Sequence, residues 1–550
     1  MVSKTTAVWA EVEEAPVPLR SRFLPDVMPV ALLMLLGAAL RIRGIGANSL
    51  WSDELFSRWY PELFGMRFMW SDGFTQEPNP PGYYTILKGW MWLFGTSDAA
   101  LRGLSALAST VAIPVVYCVG RELFDGDPRA DGRRVALTGA AIFAVLPMQL
   151  HFAQEARTYA LLMLPAGGIL LAMARLLAEA SCVTAPSTSA PASMRTLVLY
   201  GFCGIVSLYL HATAALLLAA ASGVVMVQLL WRRCTVRAAQ FVATNLVIMV
   251  LAAPALLGMA SKTHTGIGLE WIPPLRARDV AAAISAVVTG PDASLRFPGA
   301  LLTAAALGAI AVSLVLKRPA PRSAIVLLGV PALFLTLACL LSLRQPILLP
   351  RIMCWVDVPF ALISGYALCS PSWRVPAFGL GAALVGGLLV FFLFAPGKEP
   401  WRLLGQRFAT ELAKAELVVL APHTGPGGLA SYASLPPGLR HWLAGTPNIE
   451  TGAMVARFGV EQISGSAVES AVRAGANVML IHRAADGDAV AALLHDVPPP
   501  IVRMRGECGD QVCLTLLEWR ARQKFDGNAS WLCPEHRASW MPLEASQQTC

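Results

Sequence analysis

The residues best suited to chemistry begin with two adjacent acids in an aromatic segment. Asp53 and Glu54 lie in SLWSDELFSRWY, residues 49–60, shortly after the first long apolar run. A carboxyl group in such a partly desolvated place is a stronger base than one in bulk water. Both acids are therefore candidate catalytic bases. The same pattern also fits an interfacial helix, in which Trp and Tyr mark the lipid headgroup level and the acids are simply solvated.

A proline-rich turn provides the next candidates. In QEPNPPGYY, residues 76–84, three prolines exclude a regular helix and favour an extended turn. The turn holds Glu77 and Asn79 near the membrane surface, and Tyr83 and Tyr84 follow as candidates for a substrate pocket. The alternative is a loop that is rigidified so that the chain can re-enter the membrane. For Glu77 the two interpretations stay open.

Three arginines form a candidate phosphate site. Arg102, Arg157 and Arg351 each stand beside an apolar run, on the side that the charge pattern marks as non-cytoplasmic. Their number there runs against the usual enrichment of basic residues on the cytoplasmic side. A guanidinium group also matches phosphate through its rigid fork of donors. Glu155 and Tyr159 accompany Arg157 in QEARTYALL as candidates for the same pocket. Anchoring at the interface is the alternative for these charged residues.

A single histidine, His211 in YLHATAALLLA, interrupts an apolar stretch that is long enough for two spans. A lone histidine in this position is typical of a polar contact between helices. With Glu77 on the same side it could also share a divalent metal ion, although two ligands are too few to define a site. The sequence therefore requires no cofactor and leaves a metal ion open.

The composition indicates that a membrane domain positions these residues. Of the 550 residues, 55% are hydrophobic and only 14% are charged, and the mean hydropathy is +0.57. Soluble proteins contain about 25% charged residues, so an ordinary soluble enzyme is excluded. The net charge of +8 does not indicate nucleic acid, because the basic residues gather in short loops between apolar runs. The run after Pro25 lacks a cleavage site and is expected to remain as the first span.

The apolar runs predict about eleven transmembrane helices within residues 26–396, since each reaches the roughly 20 residues that a bilayer requires. Every even-numbered crossing ends in Arg or Lys, which places those ends and the N-terminal residues 1–25 in the cytoplasm. The odd-numbered crossings open on the other side, where a long first loop covers residues 43–99. That side receives most of the candidates, namely Asp53, Glu54, Glu77, Glu155, His211 and Arg351.

The remaining residues, 397–550, have ordinary polarity and predict a small α/β domain, which an odd number of spans places outside the cytoplasm. A helical period covers residues 401–414, and three strand patterns follow, at residues 416–421, 477–482 and 511–518. No glycine-rich nucleotide loop follows these strands, so no chemistry is assigned to the domain. An oxidising compartment permits disulfides among its four cysteines, and their pairing is left open: Cys508, Cys513, Cys533 and Cys550.

The order of these motifs resembles that of a known family. SLWSDE after the first span is followed by PPGYY, by LFG and ALRGLSAL, and then by QEARTYALL and YLHATAALLLA. This order is similar to that of the GT-C membrane glycosyltransferases, nearest to their protein O-mannosyltransferase-like and aminoarabinose-transferase-like branch. The resemblance covers roughly residues 20–370 and is strongest between residues 49 and 162. Many members have His before the Pro-Pro pair, where this chain has Asn79, and this departure weakens a metal or proton-relay role at that position.

The resemblance implies transfer of a sugar from a polyprenyl-phosphate-linked donor to an acceptor hydroxyl, on the extracytoplasmic face of a bacterial inner (plasma) membrane. Asp53 would be the base or acceptor-orienting carboxylate, Glu77 the acid before the proline turn, and Arg351 the basic residue before the tenth span. A single inverting displacement is expected. The partners would be the lipid-linked donor, membrane lipids and a lipid, glycan or protein acceptor, and the C-terminal domain would be periplasmic.

Two other classes of protein remain open from the sequence. A lipid or glycan transporter (a flippase) would also explain the spans and the buried charges. It predicts polar residues near the middle of the membrane and interrupted helices in paired halves, whereas the candidates here gather on one face. A non-catalytic scaffold with a partner-binding tail is the third class, and the acid pair and outer-face arginines argue against it.

Overall fold

The computed structural model describes residues 26–71, 79–125, 127, 130–181, 191–265, 272–291, 297–316, 319, 321–369, 374–394, 401–402, 406, 415–420, 440–443, 461–463, 465–483, 502–508 and 512–519. Helices dominate this part of the chain up to residue 394, and the strands lie between residues 417 and 519.

The first half of the membrane domain contains a long helix surrounded by shorter ones. After α1 (Val27–Ile42), the predicted first loop holds α2 (Ser52–Leu63), α3 (Met66–Met69) and α4 (Gly82–Phe94). The next six helices are α5 (Asp98–Phe124), α6 (Gly132–Val145), α7 (Pro147–Ala153), α8 (Tyr159–Ser181), α9 (Met194–Leu210) and α10 (Ala214–Trp231). Of the predicted proline-rich turn, Pro80 and Pro81 are among the described residues, and Pro81 is the N-cap of α4 in a helical conformation.

The second half adds α11 (Thr235–Leu251), α12 (Ala253–Thr265), α13 (Ala277–Thr289), α14 (Phe297–Leu316) and the short α15 (Pro321–Ala324). A π-helical turn (Ile325–Gly329) then joins α16 (Val330–Ser342). A 3₁₀ helix (Pro350–Val356) runs directly into α17 (Asp357–Leu368), and α18 (Arg374–Phe394) follows.

Seven described helices are long and apolar enough to cross a membrane, and the number is nine if each of two bent pairs forms one span. The bent pairs are α6 with α7, at 54°, and α11 with the start of α12, at 66°. Two further apolar helices, α1 and α9, are shorter than 18 residues. The structure thus agrees with a polytopic helical membrane protein, and the number of eleven spans stays a prediction.

The bend between α6 and α7 has a local cause. Pro147 begins α7 and has no N–H, so carbonyl groups at the end of α6 lose their helical partners. Arg41, a buried residue of α1, donates from Nη1 to the Ala144 carbonyl oxygen at 2.9 Å. Its Nε donates to Ser109 Oγ of α5 at 2.8 Å. A cation at the negative end of α6 is favourable, and α7 then leads into the turn that contains Glu155 and Arg157.

Close packing of α17 against α6 fixes the 3₁₀ helix that contains Arg351. A Cβ atom on Gly365 would stand 2.8 Å from the Gly139 nitrogen, so only glycine permits this approach. The other end of α17 is held by Asp357, whose fully buried carboxylate accepts a hydrogen bond from Gln149 Nε2 of α7 at 2.9 Å.

A polar cluster lies at the N-terminal end of α1, opposite the end that contains Arg41. Asp26 accepts hydrogen bonds from Tyr117 and Arg133, and Arg121 Nη1 lies 2.5 Å from its Oδ2. Burial alone would raise the pKa of Asp26, but the hydrogen bonds from Tyr117 and Arg133 and the two positive charges lower it. The carboxylate is therefore ionised and ties α1 to the ends of α5 and α6.

The strands form one six-stranded sheet with the order β3-β2-β1-β4-β6-β5. The first four pair in parallel, and β6 pairs antiparallel with both β4 and β5. Three of the strands, β1, β4 and β6, lie where strands were predicted, and the full set comprises β1 (Leu417–Leu420), β2 (Arg440–Leu443), β3 (Glu461–Ile463), β4 (Val478–Arg483), β5 (Val502–Cys508) and β6 (Val512–Trp519). One helix, α19 (Gly465–Arg473), packs beside β4 and β6.

Most of the predicted helix at residues 401–414 and two cysteines, Cys533 and Cys550, lie outside the described residues. Cys508 and Cys513 stand opposite each other in the register of β5 and β6. The residues that follow the last membrane helix are docked on the first loop: Trp401 is fully buried, and Arg402 Nη2 lies 2.6 Å from Asp98 Oδ2.

Candidate active site

Three segments far apart in the chain meet at the carboxylate of Asp53. This residue lies in the first turn of α2, where the helix dipole favours a negative charge. Arg351 Nη1 donates to its Oδ2 at 3.1 Å, and Arg157 Nη2 lies 3.7 Å from the same oxygen. Arg157 Nη1 also donates to the Asp53 carbonyl oxygen at 3.2 Å. The Asp53 side chain remains 30% exposed, and the described residues offer no hydrogen-bond donor to its Oδ1.

The neighbouring acid, Glu54, has a different environment. Its two carboxylate oxygens pair with Nε and Nη2 of Arg102, each at 2.7 Å, and both side chains are buried. Glu54 Oε1 also accepts from the Ala156 backbone N–H at 2.8 Å. The remaining donors of Arg102 bind carbonyl oxygens of the first loop, those of Ile45, Asn48 and Ser49.

This bidentate pair bears on the predicted roles of both residues. A buried charge must be paired and hydrogen-bonded, and Glu54 and Arg102 satisfy each other. Both side chains are buried and satisfied by each other, and a catalytic role for Glu54 and a phosphate-binding role for Arg102 stay predictions. The pair anchors the start of α2, and hence Asp53, to α5 and to the turn before α8.

That turn positions Arg157 through its backbone. The Arg157 N–H donates to the Glu155 carbonyl oxygen at 2.8 Å, and Ser105 Oγ of α5 donates to the Arg157 carbonyl oxygen at 3.3 Å. Thr158 Oγ1 donates to the Leu210 carbonyl oxygen at 3.0 Å, which ties the turn to the end of α9. Glu155 itself is buried, with Oε2 3.7 Å from His151 Nε2.

The tyrosines of the proline-rich segment are buried beside this cluster. The Tyr84 ring centroid lies 4.9 Å from that of Tyr60 in α2 and 5.4 Å from that of Tyr83. Burial raises the pKa of the Tyr83 hydroxyl, while the charge of Arg157 acts in the opposite direction, so the hydroxyl stays protonated within the field of that arginine. Asn79 is half-buried, and Glu77 lies outside the described residues.

A close backbone approach brings the start of α4 against the end of α9. A Cβ atom on Gly82 would overlap the carbonyl oxygen of Tyr209. Two residues later His211 follows α9 in an extended conformation, with φ −155° and ψ 138°. The buried His211 ring lies against Tyr159, with 5.3 Å between the ring centroids. Tyr159 follows Arg157 by two residues, and the charges of Arg157 and Arg351 act on both Tyr159 and His211.

The hydrogen bonds of His211 bear on the predicted metal site. Its Nδ1 accepts from the Thr213 backbone N–H at 3.1 Å, and Thr213 Oγ1 lies 2.8 Å from the same nitrogen. The neutral ring therefore carries its proton on Nε2, and a metal ion at Nε2 would require that proton to be on Nδ1. No group of three or more His, Cys, Asp or Glu side chains among the described residues could hold a metal ion. Glu77, the other predicted ligand, lies outside the described residues, so a metal site shared by Glu77 and His211 stays a prediction.

An apolar cavity of about 150 Å³ adjoins the 3₁₀ helix that contains Arg351. Pro346, Leu348, Leu349 and Pro350 form one wall, and Leu275 and Ala282 form part of the other. Asp279 and Ser342 add polar groups to the lining, and Arg351 follows Pro350 directly in the chain. A largely apolar space of this kind can receive a hydrocarbon chain.

The fold can be compared with those of solved structures. The chain is similar to ArnT from Cupriavidus metallidurans in the apo state, with a TM-score of 0.55 over 90% of this chain and 98% of that one, at 15% sequence identity. The chain has the ArnT fold. ArnT bound to undecaprenyl phosphate gives a TM-score of 0.52 over the same shares of the two chains, again at 15% identity.

ArnT is a membrane glycosyltransferase of the GT-C fold, so the resemblance seen in the motif order is confirmed for the fold. At 15% identity the likeness to ArnT shows the fold alone. A weaker match, to the S. cerevisiae protein O-mannosyltransferase Pmt1-Pmt2 complex bound to the sugar donor, has a TM-score of 0.33 over 44% of this chain and 34% of that one, at 16% identity. The sequence matches no protein-family model and no curated protein.

Several residues that position Arg157 and Arg41 in this ArnT fold were not predicted from the sequence. Ser57, one turn after Asp53, has its Oγ 3.3 Å from Arg157 Nη1. Ser105 and Ser109 continue a polar stripe that Arg102 begins on α5, and they contact the Arg157 backbone and Arg41. The spacing of the stripe at positions i, i+3 and i+7 is a signal that could have found it, because these positions share one helix face.

Proposed function

We propose that this chain transfers a sugar from a polyprenyl-phosphate-linked donor to an acceptor hydroxyl at the membrane surface. The observation that supports this most is the carboxylate of Asp53, whose Oδ2 lies against Arg351 and Arg157 and whose Oδ1 receives no hydrogen bond from the described residues. This arrangement puts a proton acceptor beside two phosphate-binding groups. Transfer from a lipid phosphate to a hydroxyl needs both.

The proposed step is a single displacement. The acceptor oxygen forms a bond to the anomeric carbon while its proton passes to Asp53 Oδ1. The bond from the anomeric carbon to the phosphate oxygen breaks, and its electron pair stays on the polyprenyl phosphate. Arg351 and Arg157 stabilise the negative charge that develops there. Attack opposite the leaving phosphate inverts the anomeric centre and needs no covalent intermediate on the protein.

Substrate placement would use the buried groups around the carboxylate. We assign the hydroxyls of Tyr83 and Tyr159, and Asn79, to the pocket that receives the sugar or the acceptor, with Tyr84 packed behind Tyr83. Glu155 lies in the same cluster and balances the positive charge of the arginines. Glu77 stays a proposed second acid at this face.

The lipid part of the donor is proposed to enter beside Arg351. The apolar cavity that adjoins Pro350 can receive hydrocarbon next to the phosphate site. ArnT in its undecaprenyl phosphate-bound form has the same fold as this chain, which supports a polyprenyl phosphate as the lipid. The acceptor class stays open between lipid, glycan and protein.

The site is proposed to face away from the cytoplasm in a bacterial inner membrane. At the other end of α1, Asp26 pairs with Arg121 and Arg133, and Arg134 at the start of α6 pairs with Asp131. Basic residues favour the cytoplasmic side. This orientation also places the sheet-containing residues 415–519 outside the cytoplasm.

An assay with radiolabelled polyprenyl-phosphate sugars tests the proposal. The purified protein, reconstituted in vesicles with candidate lipid and glycan acceptors from the envelope, should form a labelled product and release polyprenyl phosphate. A transporter would instead move intact donor between the leaflets and yield no product. Movement of intact donor without transfer to any acceptor would contradict the transferase proposal.

A further inference from the structure

His211 is the buried polar group of the site that the proposed transfer step leaves without a role. Its ring lies at the junction of α9 and α10, where the extended backbone turns the chain between two helices. One face of the ring contacts Tyr159, and the side chain is almost fully enclosed. The charges of Arg351 and Arg157 reach it strongly enough to affect its ionisation. It therefore belongs to the electrostatic neighbourhood of the proposed phosphate site.

The protonation of the ring follows from its contacts. A backbone N–H can only donate, so the 3.1 Å bond from Thr213 requires a bare Nδ1. Burial, together with the positive charges of Arg351 and Arg157, lowers the pKa of His211 to about 3. The ring is thus neutral at physiological pH with its hydrogen on Nε2, and Nε2 has no hydrogen-bond partner in the part of the chain that the structure describes.

We propose that the Nε2–H of His211 is a third donor to the phosphate oxygens of the lipid-linked substrate, beside Arg351 and Arg157. This inference rests on the proposed function. A fixed neutral donor suits this position, because a third positive charge in a desolvated space beside two arginines would be costly. Thr213 acts as the positioning residue, since its N–H and hydroxyl hold the ring in the tautomer that donates from Nε2.

Substitution of His211 by Asn or Gln tests the roles of Nδ1 and Nε2 separately. His211→Asn can still accept from the Thr213 N–H at the position of Nδ1, but it lacks a group that reaches the position of Nε2. His211→Gln extends an amide N–H to about the position of Nε2. Both variants should fold, because the junction of α9 and α10 keeps a polar side chain of smaller or similar size.

The experiment measures the affinity of each purified variant for undecaprenyl phosphate, with the uncharged polyprenol as control ligand. A hydrogen bond to a charged group predicts about a tenfold loss of phosphate affinity in His211→Asn, partial recovery in His211→Gln, and unchanged polyprenol affinity in both. Wild-type phosphate affinity in His211→Asn would overturn the inference. A parallel loss of affinity for both ligands would also overturn it, because it would show a distorted site and not a missing donor.

A second measurement needs no variant. Nitrogen NMR of the wild-type protein labelled at its histidines should show one ring protonated at Nε2 whose signal shifts when undecaprenyl phosphate is added. A proton on Nδ1 of His211 would overturn the inference. Both experiments detect phosphate binding without sugar transfer. Failure of the transferase proposal, seen as no product from the wild type with any donor, is therefore a separate result.

Discussion

Arg351 donates from Nη1 to Oδ2 of Asp53 at 3.1 Å, although 298 positions separate the two residues in the chain. This contact joins the first loop to the 3₁₀ helix that precedes α17. It holds the proposed base and one proposed phosphate ligand in a fixed relationship before substrate arrives. Such preorganisation is the main way in which polar groups accelerate a reaction.

Replacement of Arg351 should damage transfer far more than folding. Arg351→Gln removes one of the two charges beside the leaving phosphate, so kcat/KM should fall by about 10²–10³-fold. Arg344→Gln, at an exposed arginine seven positions earlier, is the matched control and should retain wild-type activity. Equal activity of the two variants in the transfer assay would show that Arg351 has no role in the chemistry.

The Glu54–Arg102 pair should matter for stability. Glu54→Gln or Arg102→Met leaves one charge buried without its partner, and each should lower the free energy of unfolding by about 3–5 kcal/mol. The double variant Glu54→Gln/Arg102→Met should lose less than the sum, because no charge is then left unpaired. Thermal unfolding of detergent-solubilised protein measures this. Additive losses would mean that the two side chains do not interact.

The approach of α4 to α9 predicts a sensitive glycine. In Gly82→Ala the new Cβ would overlap the Tyr209 carbonyl oxygen, so the start of α4 must move and displace Tyr83 and His211. We expect lower stability and at least tenfold lower transfer. Gly89→Ala is the control in the same helix, because nothing lies within 4 Å of its Cβ. Similar melting temperatures and activities for the two variants would contradict the packing.

The neutral His211 predicts a pH dependence of stability. Its pKa is about 3 in the folded chain and near 6.5 in the unfolded chain, so between these values only the unfolded chain binds the proton. The free energy of unfolding should therefore fall as the pH drops below 6.5, by about 2 kcal/mol from this residue between pH 7.5 and 5.0. Melting temperatures at the two pH values should differ less in His211→Asn than in the wild type. An equal drop in both would indicate that the folded ring is protonated.

The sequence predicted which residues lie in this candidate site better than it predicted which side chains pair with each other. Asp53, Arg157 and Arg351 were grouped on one face by charge pattern and motif order, and the structure brings them together. The pairing of Glu54 with Arg102 was not predictable, because adjacent acids look alike in sequence and only the fold shows which of them is desolvated.

The fold, too, was predictable where it depends on local sequence patterns and unpredictable where it depends on long-range contacts. Long apolar runs predicted the membrane helices, since hydrophobicity over about 20 residues is a strong signal. The break at Pro147 lies inside one of the long apolar runs. Arg41 binds the carbonyl group that this break exposes, through a contact between α1 and α6. Short-range patterns do not contain such long-range contacts. The strand order of the sheet was not predictable for the same reason.

The most direct test of the proposed role of Asp53 in sugar transfer compares Asp53→Asn with Glu62→Gln in the sugar-transfer assay. Both variants remove one carboxylate charge from α2, but Glu62 pairs with Arg58 along the helix surface and has no proposed part in transfer. We expect Asp53→Asn to abolish product formation at normal protein abundance, while Glu62→Gln retains wild-type turnover. Near-normal turnover of Asp53→Asn would contradict the central claim that this carboxylate takes the proton or orients the acceptor.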